Sequence, residues 1–118
     1  MIKTDTIEQI AYELYKAERE AYEINKFVDQ YPELDLAIAY EIQDKLINIK
    51  CQKENTVVSG RKLGLTSKAK QEMMGVHEPS YGVLLDNMKI DEDAVISIKP
   101  FIHAKIEPEI AFVFKKDI

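Results

Sequence analysis

The stretch H-A-K-I-E-P-E-I-A-F-V-F, residues 103–114, decides how the second half of this chain is read. Its even positions, Ala104, Ile106, Pro108, Ile110, Phe112 and Phe114, are all apolar. Its odd positions are His103, Lys105, Glu107, Glu109, Ala111 and Val113. A period of two is the signature of a strand. On a strand Glu107 and Glu109 share one side, whereas on a helix they would stand about 200° apart. The pattern predicts a long strand over 103–115 with Ile106, Ile110 and Phe112 turned to the core. Pro108 cannot donate to a ladder, so this strand is expected to be an edge or an irregular one.

Working back from it, Val95–Ile98 reads as a short strand and Asp91-Glu92-Asp93 as a solvated turn. Residues 56–66, T-V-V-S-G-R-K-L-G-L-T, read as another strand. Val58, Gly60, Lys62, Gly64 and Thr66 fall on one face of it, so Lys62 stands between two glycines. Glycine inside a strand often marks close approach by a ligand or a second backbone. Ser67 is placed to cap a short helix over 68–74 that ends at Gly75. The turn-rich run H-E-P-S-Y-G, 77–82, follows and reads as a loop, in which Pro79-Ser80-Tyr81-Gly82 is a turn that could present Tyr81.

The first half has a different period. Ile7, Ile10, Ala11, Leu14, Ala17, Ala21, Ile24 and Val28 recur at spacings of three and four, which predicts a helix over 6–28, with Thr6 and Gln9 as a capping box. Tyr31-Pro32-Glu33-Leu34 breaks it. Asp35 then caps a second helix over 36–50, striped by Ile38, Ala39, Ile42, Leu46 and Ile49. Two such helices with a short break predict a helical hairpin over 1–52, packing and carrying no chemistry. Helices first and strands later is an α+β order, in one domain spanning 1–118, with 53–118 mainly strands and one short helix.

Composition excludes several classes. The 118 residues suffice for one domain with a core. The net charge of −5, with no basic cluster, argues against nucleic-acid binding. No stretch has the length or apolarity of a membrane span, and M-I-K-T-D-T-I-E lacks the apolar run of a signal peptide. The single cysteine, Cys51, cannot form an internal disulfide, which fits a reducing, cytoplasmic setting.

Three features carry potential chemistry. Glu107 and Glu109 offer two hard carboxylates to a cation such as Mg²⁺ or Mn²⁺. His103 is four residues from Glu107, ~13 Å along a strand, too far to join them as a ligand. From the pattern alone, a solvated strand face with Lys105 as counter-charge is the favoured reading of the pair. Lys62 could bind a carboxylate or move a proton; from the pattern alone an ordinary exposed lysine is favoured. The turn Pro79-Ser80-Tyr81-Gly82 reads as a plain loop unless Tyr81 has a task.

Taken together, the runs G-R-K-L-G-L-T-S-K-A-K-Q, M-G-V, P-S-Y-G-V-L and I-H-A-K-I-E-P-E-I-A-F-V, with A-Y-E-I-Q at 39–43, resemble the 2-keto-4-pentenoate hydratase / 4-oxalocrotonate decarboxylase family of the fumarylacetoacetate hydrolase-like group. The resemblance covers nearly the whole chain, in order. It implies an N-terminal portion of a fumarylacetoacetate hydrolase-like mixed β core, incomplete in this chain, with a third metal carboxylate expected from a later segment. It implies Glu107 and Glu109 as ligands of Mg²⁺ or Mn²⁺, Lys62 as an active-site residue, and Ser80 and Tyr81 as neighbours of the substrate. The implied reaction is decarboxylation of 4-oxalocrotonate, a small 2-oxo acid of aromatic catabolism; the alternative is the hydration of 2-hydroxypenta-2,4-dienoate. Hydratases of the family often have aspartate in the place of Ser80, and I-H-A-K-I-E-P-E-I is similar to the decarboxylase form, with Ala104 in place of its usual proline. A homo-oligomer or a sister subunit is the implied assembly. The rival expectation is a non-catalytic fragment that only packs or oligomerises.

Overall fold

The computed structural model describes residues 2–117. In chain order it contains α1 (Thr4–Glu20), α2 (Phe27–Gln30), α3 (Leu36–Glu54), β1 (Val58–Gly64), α4 (Lys68–Met74), β2 (Ser80–Leu85) and a 3₁₀ turn at Asp86–Met88. This is a mixed α+β arrangement of helices and one small sheet.

The core lies between α1 and α3. Ile7, Ile10 and Ala11 of α1 close on Ile42 of α3 together with Ile2, and Leu14, Phe27, Leu34, Ile38, Leu46 and Ile49 pack around them. This is the three-and-four stripe of the sequence turned inward. Asp35 caps α3 as expected, its carboxylate accepting from the Ile38 amide at 2.9 Å.

Three expectations for this half need correction. First, α1 stops at Glu20 rather than continuing to 28. Ala21 takes a left-handed conformation (φ 54°), and the amides of Ala21 and Tyr22 both return to the Ala17 carbonyl. That closure satisfies an orphan carbonyl and turns the chain aside. Ile24 and Val28, which continue the stripe on paper, are exposed, and Phe27 reaches the core from the separate α2. Second, Thr6 and Gln9 form no capping box: the helix starts two residues earlier after Lys3, without a side-chain cap, and the Gln9 amide donates to Glu13 instead. Third, α1 and α3 are not a hairpin of adjacent ends. Lys45 pairs with Glu8 and Lys50 with Glu18, so their contacts advance in the same sense along both helices. A tight antiparallel hairpin would reverse that order. The connection through α2 gives the chain room to return before α3 begins.

β1 and β2 form an antiparallel ribbon. Lys62 pairs with Gly82, Leu63 with Tyr81 and Gly64 with Ser80, with a bulge at Ser59 between Val58 and Gly60. The run at 77–82 is therefore not all loop: Ser80, Tyr81 and Gly82 belong to β2. Tyr81 stacks on Tyr40 of α3, with ring centres 4.6 Å apart and planes 10° from parallel, and its amide donates to the Tyr40 hydroxyl. Gly64 packs closely on the partner strand, since a Cβ there would stand 3.2 Å from the Ser80 hydroxyl. Ser67 caps α4 and Gly75 ends it at φ 71°, as read from the sequence.

The expected strands Val95–Ile98 and 103–115 are not formed among the described residues. Residues 103–114 run without helix or ladder, and Ile106, Ile110 and Phe112 are 97%, 87% and 80% exposed rather than in the core. The alternation is present in the residues, but a strand also needs a neighbour to accept its hydrogen bonds. Among the described residues the sheet holds only β1 and β2, and the mixed β core is not seen there.

Candidate active site

Lys62 and the glutamate pair come together. β1 sets Lys62 opposite Gly82, a position with no side chain to cover the ammonium. The segment that follows Pro100 passes this face. The Lys62 ammonium donates to Glu109 and stands 3.5 Å from Glu107 Oε2. Both carboxylates thus reach one cationic point, which requires them to share a side of the segment. The sequence reading of that shared side holds, although the strand itself does not form.

Together they line an open cleft of about 470 Å³, with Phe101, His103 and Lys105. Every lining residue from the segment is odd-numbered, so the period of two survives as one wall of the cleft. The hydrogen bond to Glu109 raises the Lys62 pKa above the ordinary lysine value; lost hydration opposes this, and the charges of Glu109 and Glu107 add to the rise. Lys62 therefore remains an ammonium throughout the neutral range.

The other residues singled out in the sequence lie elsewhere. Ser80 faces Gly64 and Tyr81 packs on Tyr40, and neither lines the cleft. His103 lines it, but its Nε2 meets the Glu23 carboxylate in the loop after α1. Lys105, read from the sequence as the counter-charge of the glutamates, is replaced in that task by Lys62. Phe101 was not singled out at all. Its signal was available, since the odd-numbered face simply extends one step before His103.

Two carboxylates that converge on an ammonium can converge equally on a divalent cation, and oxygen donors suit Mg²⁺ or Ca²⁺. They supply part of a shell only. Among the described residues no group of three or more His, Cys, Asp or Glu side chains is placed to hold a metal ion.

No protein-family model matches the chain. Curated relatives do. It is 42% identical over 106 residues to a 4-oxalocrotonate decarboxylase of Pseudomonas putida and 36% identical over 114 residues to a 2-hydroxyhexa-2,4-dienoate hydratase of Comamonas testosteroni. The chain is similar to an N-terminal portion of these decarboxylases and hydratases. The two matches take in 90% and 95% of this chain, which spans only 40% and 43% of those relatives. Decarboxylases and hydratases such as these relatives are lyase-type enzymes. Among solved structures, the 4-oxalocrotonate decarboxylase from Pseudomonas putida G7 complexed with calcium and acetate matches 74% of this chain and 33% of its own, with a TM-score of 0.68 and 31% identity. The same enzyme complexed with magnesium and adipate matches with a TM-score of 0.67 and 32% identity. No helix among the described residues of this chain is long and apolar enough to cross a membrane.

Proposed function

We propose that the chain contributes the Lys62–Glu107–Glu109 cleft to a divalent-metal-dependent lyase that decarboxylates a 2-oxo dicarboxylic acid of the 4-oxalocrotonate type. The observation that carries this reading is the meeting of both glutamates with one cation, Lys62 Nζ. Homologues named as decarboxylases, and a solved relative that holds magnesium, support it.

Glu107 and Glu109 would hold the cation. When bound, it supplies a Lewis acid for the 2-oxo group and screens the negative charge that gathers there. Lys62 binds and orients: its ammonium attracts the carboxylate beside the 2-oxo group. It also carries a proton at Nζ. In decarboxylation the bond to the far carboxylate breaks, CO₂ leaves, and the electron pair passes along the conjugated chain to the 2-oxo oxygen. Lys62 Nζ can give its proton to that oxygen, which yields the hydroxydienoate. Phe101 forms an apolar part of the wall.

A second reading is hydration, favoured by relatives such as the 2-oxo-hept-4-ene-1,7-dioate hydratase of Escherichia coli, 38% identical over 109 residues. There the same lysine serves ketonisation, and water adds to the chain. The test is product analysis with Mg²⁺. CO₂ released from 4-oxalocrotonate supports decarboxylation. Water added to 2-hydroxypenta-2,4-dienoate, without CO₂ from the first substrate, supports hydration. Mg²⁺-dependent binding with no turnover of either assigns this chain a binding role only.

A further inference from the structure

The cations of the cleft differ in what they already hold. Lys62 is engaged by both glutamates, and His103 meets Glu23. Lys105 lines the same cleft and has no ion-pair partner among the described residues. It precedes Glu107 by two residues and lines the same wall of the cleft, at most ~7 Å away along the backbone. Phe101, apolar, lines the cleft beside these charges.

We infer that Lys105 is a specificity-determining residue, taking the second carboxylate of a dicarboxylic ligand whose first carboxylate lies at the Lys62 end. This deepens the proposed function and rests on the cleft being the substrate site. Charge balance gives the direction. The two glutamates cancel Lys62 and Lys105, so a divalent cation leaves the cleft with a surplus of two positive charges. A dianion balances that surplus and a monoanion balances half of it. An ammonium on a flexible stem, with three donors and no carboxylate of its own, is suited to catch the mobile far end of such a ligand. Phe101 offers apolar surface to the carbons between the two ends.

The experiment compares adipate with hexanoate, six-carbon acids that differ in the second carboxylate. The 118-residue chain with Mg²⁺ is titrated with each, following the lysine Cε–Hε signals by NMR. Adipate is expected to bind about fivefold more tightly than hexanoate, the scale of one exposed ion pair. It should move the Lys62 and Lys105 signals together. Lys105→Gln should lower adipate binding to the level of hexanoate and leave hexanoate unchanged, and Lys105→Arg should restore the preference. Lys105 is exposed on a segment outside the core, so these variants keep the fold. A preference for adipate that persists in Lys105→Gln overturns the assignment of Lys105 and leaves the cleft reading intact. If neither acid moves the Lys62 signal in the unsubstituted chain, the cleft reading fails and the inference falls with it.

Discussion

Lys62 and Glu109 stand 47 positions apart in the chain and meet side chain to side chain, with Glu107 3.5 Å from the same ammonium. One lysine thus occupies the point where two carboxylates converge. In the free chain the ammonium and a metal ion compete for the same oxygens. Lys62→Met should therefore tighten Mg²⁺ binding while it weakens binding of a 2-oxo acid and suppresses any turnover. Isothermal titration with Mg²⁺, then with the acid, checks both signs. A variant that loses Mg²⁺ affinity would show that Lys62 organises the carboxylates rather than competing for them.

Lys50 is 5% exposed, and its only ion-pair partner among the described residues is Glu18, at 2.6 Å. Removing Glu18 leaves a buried charge without compensation. Because the Glu18 side chain is itself about half exposed, water relieves part of the loss, and Glu18→Ala should cost about 2 kcal/mol. Replacing the charge altogether by Lys50→Met should cost less than Glu18→Ala. Urea denaturation of the two variants measures the order.

Ile10 is 1% exposed in the α1–α3 core, whereas Ile110 is 87% exposed on the segment that carries the glutamates. Ile10→Ala should destabilise the fold by about 3 kcal/mol through lost transfer energy and a cavity. Ile110→Ala should leave the unfolding midpoint unchanged. Equal losses from the two would mean that Ile110 is packed.

Asp35 caps the 19-residue α3, which supplies one side of the core. Asp35→Ala should cost about 1 kcal/mol, and Asp35→Asn or Asp35→Ser should recover most of it. Thermal unfolding followed by circular dichroism reads the difference.

Local signals in the sequence translated well into structure. Asp35, Ser67 and Gly75 bound their helices as their chemistry dictates, because a cap is made within three or four residues. Lys62 on β1 and the shared side of Glu107 and Glu109 follow from a period of two, which needs only extended backbone. Features set by distant neighbours were not legible. The stripe through Ile24 and Val28 gave no sign that Ala21 would turn left-handed and end α1. Nothing in P-S-Y-G says that Tyr81 will find Tyr40 and pair as β2. The alternation of 103–114 shows which side chains share a face but not whether a ladder partner lies beside them. That pairing is a property of other segments. The meeting of Lys62 with the glutamates was accessible only through the resemblance of separate motifs to one family, since composition and spacing alone favoured a solvated face.

The central claim is that Glu107 and Glu109 converge to hold one divalent cation beside Lys62. Substoichiometric Mn²⁺, added to the isotope-labelled chain, tests it most directly through the distance-dependent broadening of NMR signals. The account predicts that Glu107, Glu109, Lys62 and Gly82 broaden first, that Mg²⁺ reverses the effect, and that Glu107→Gln with Glu109→Gln abolishes it. Broadening centred instead on Asp91, Glu92 and Asp93, or surviving the double substitution at the same residues, would contradict it.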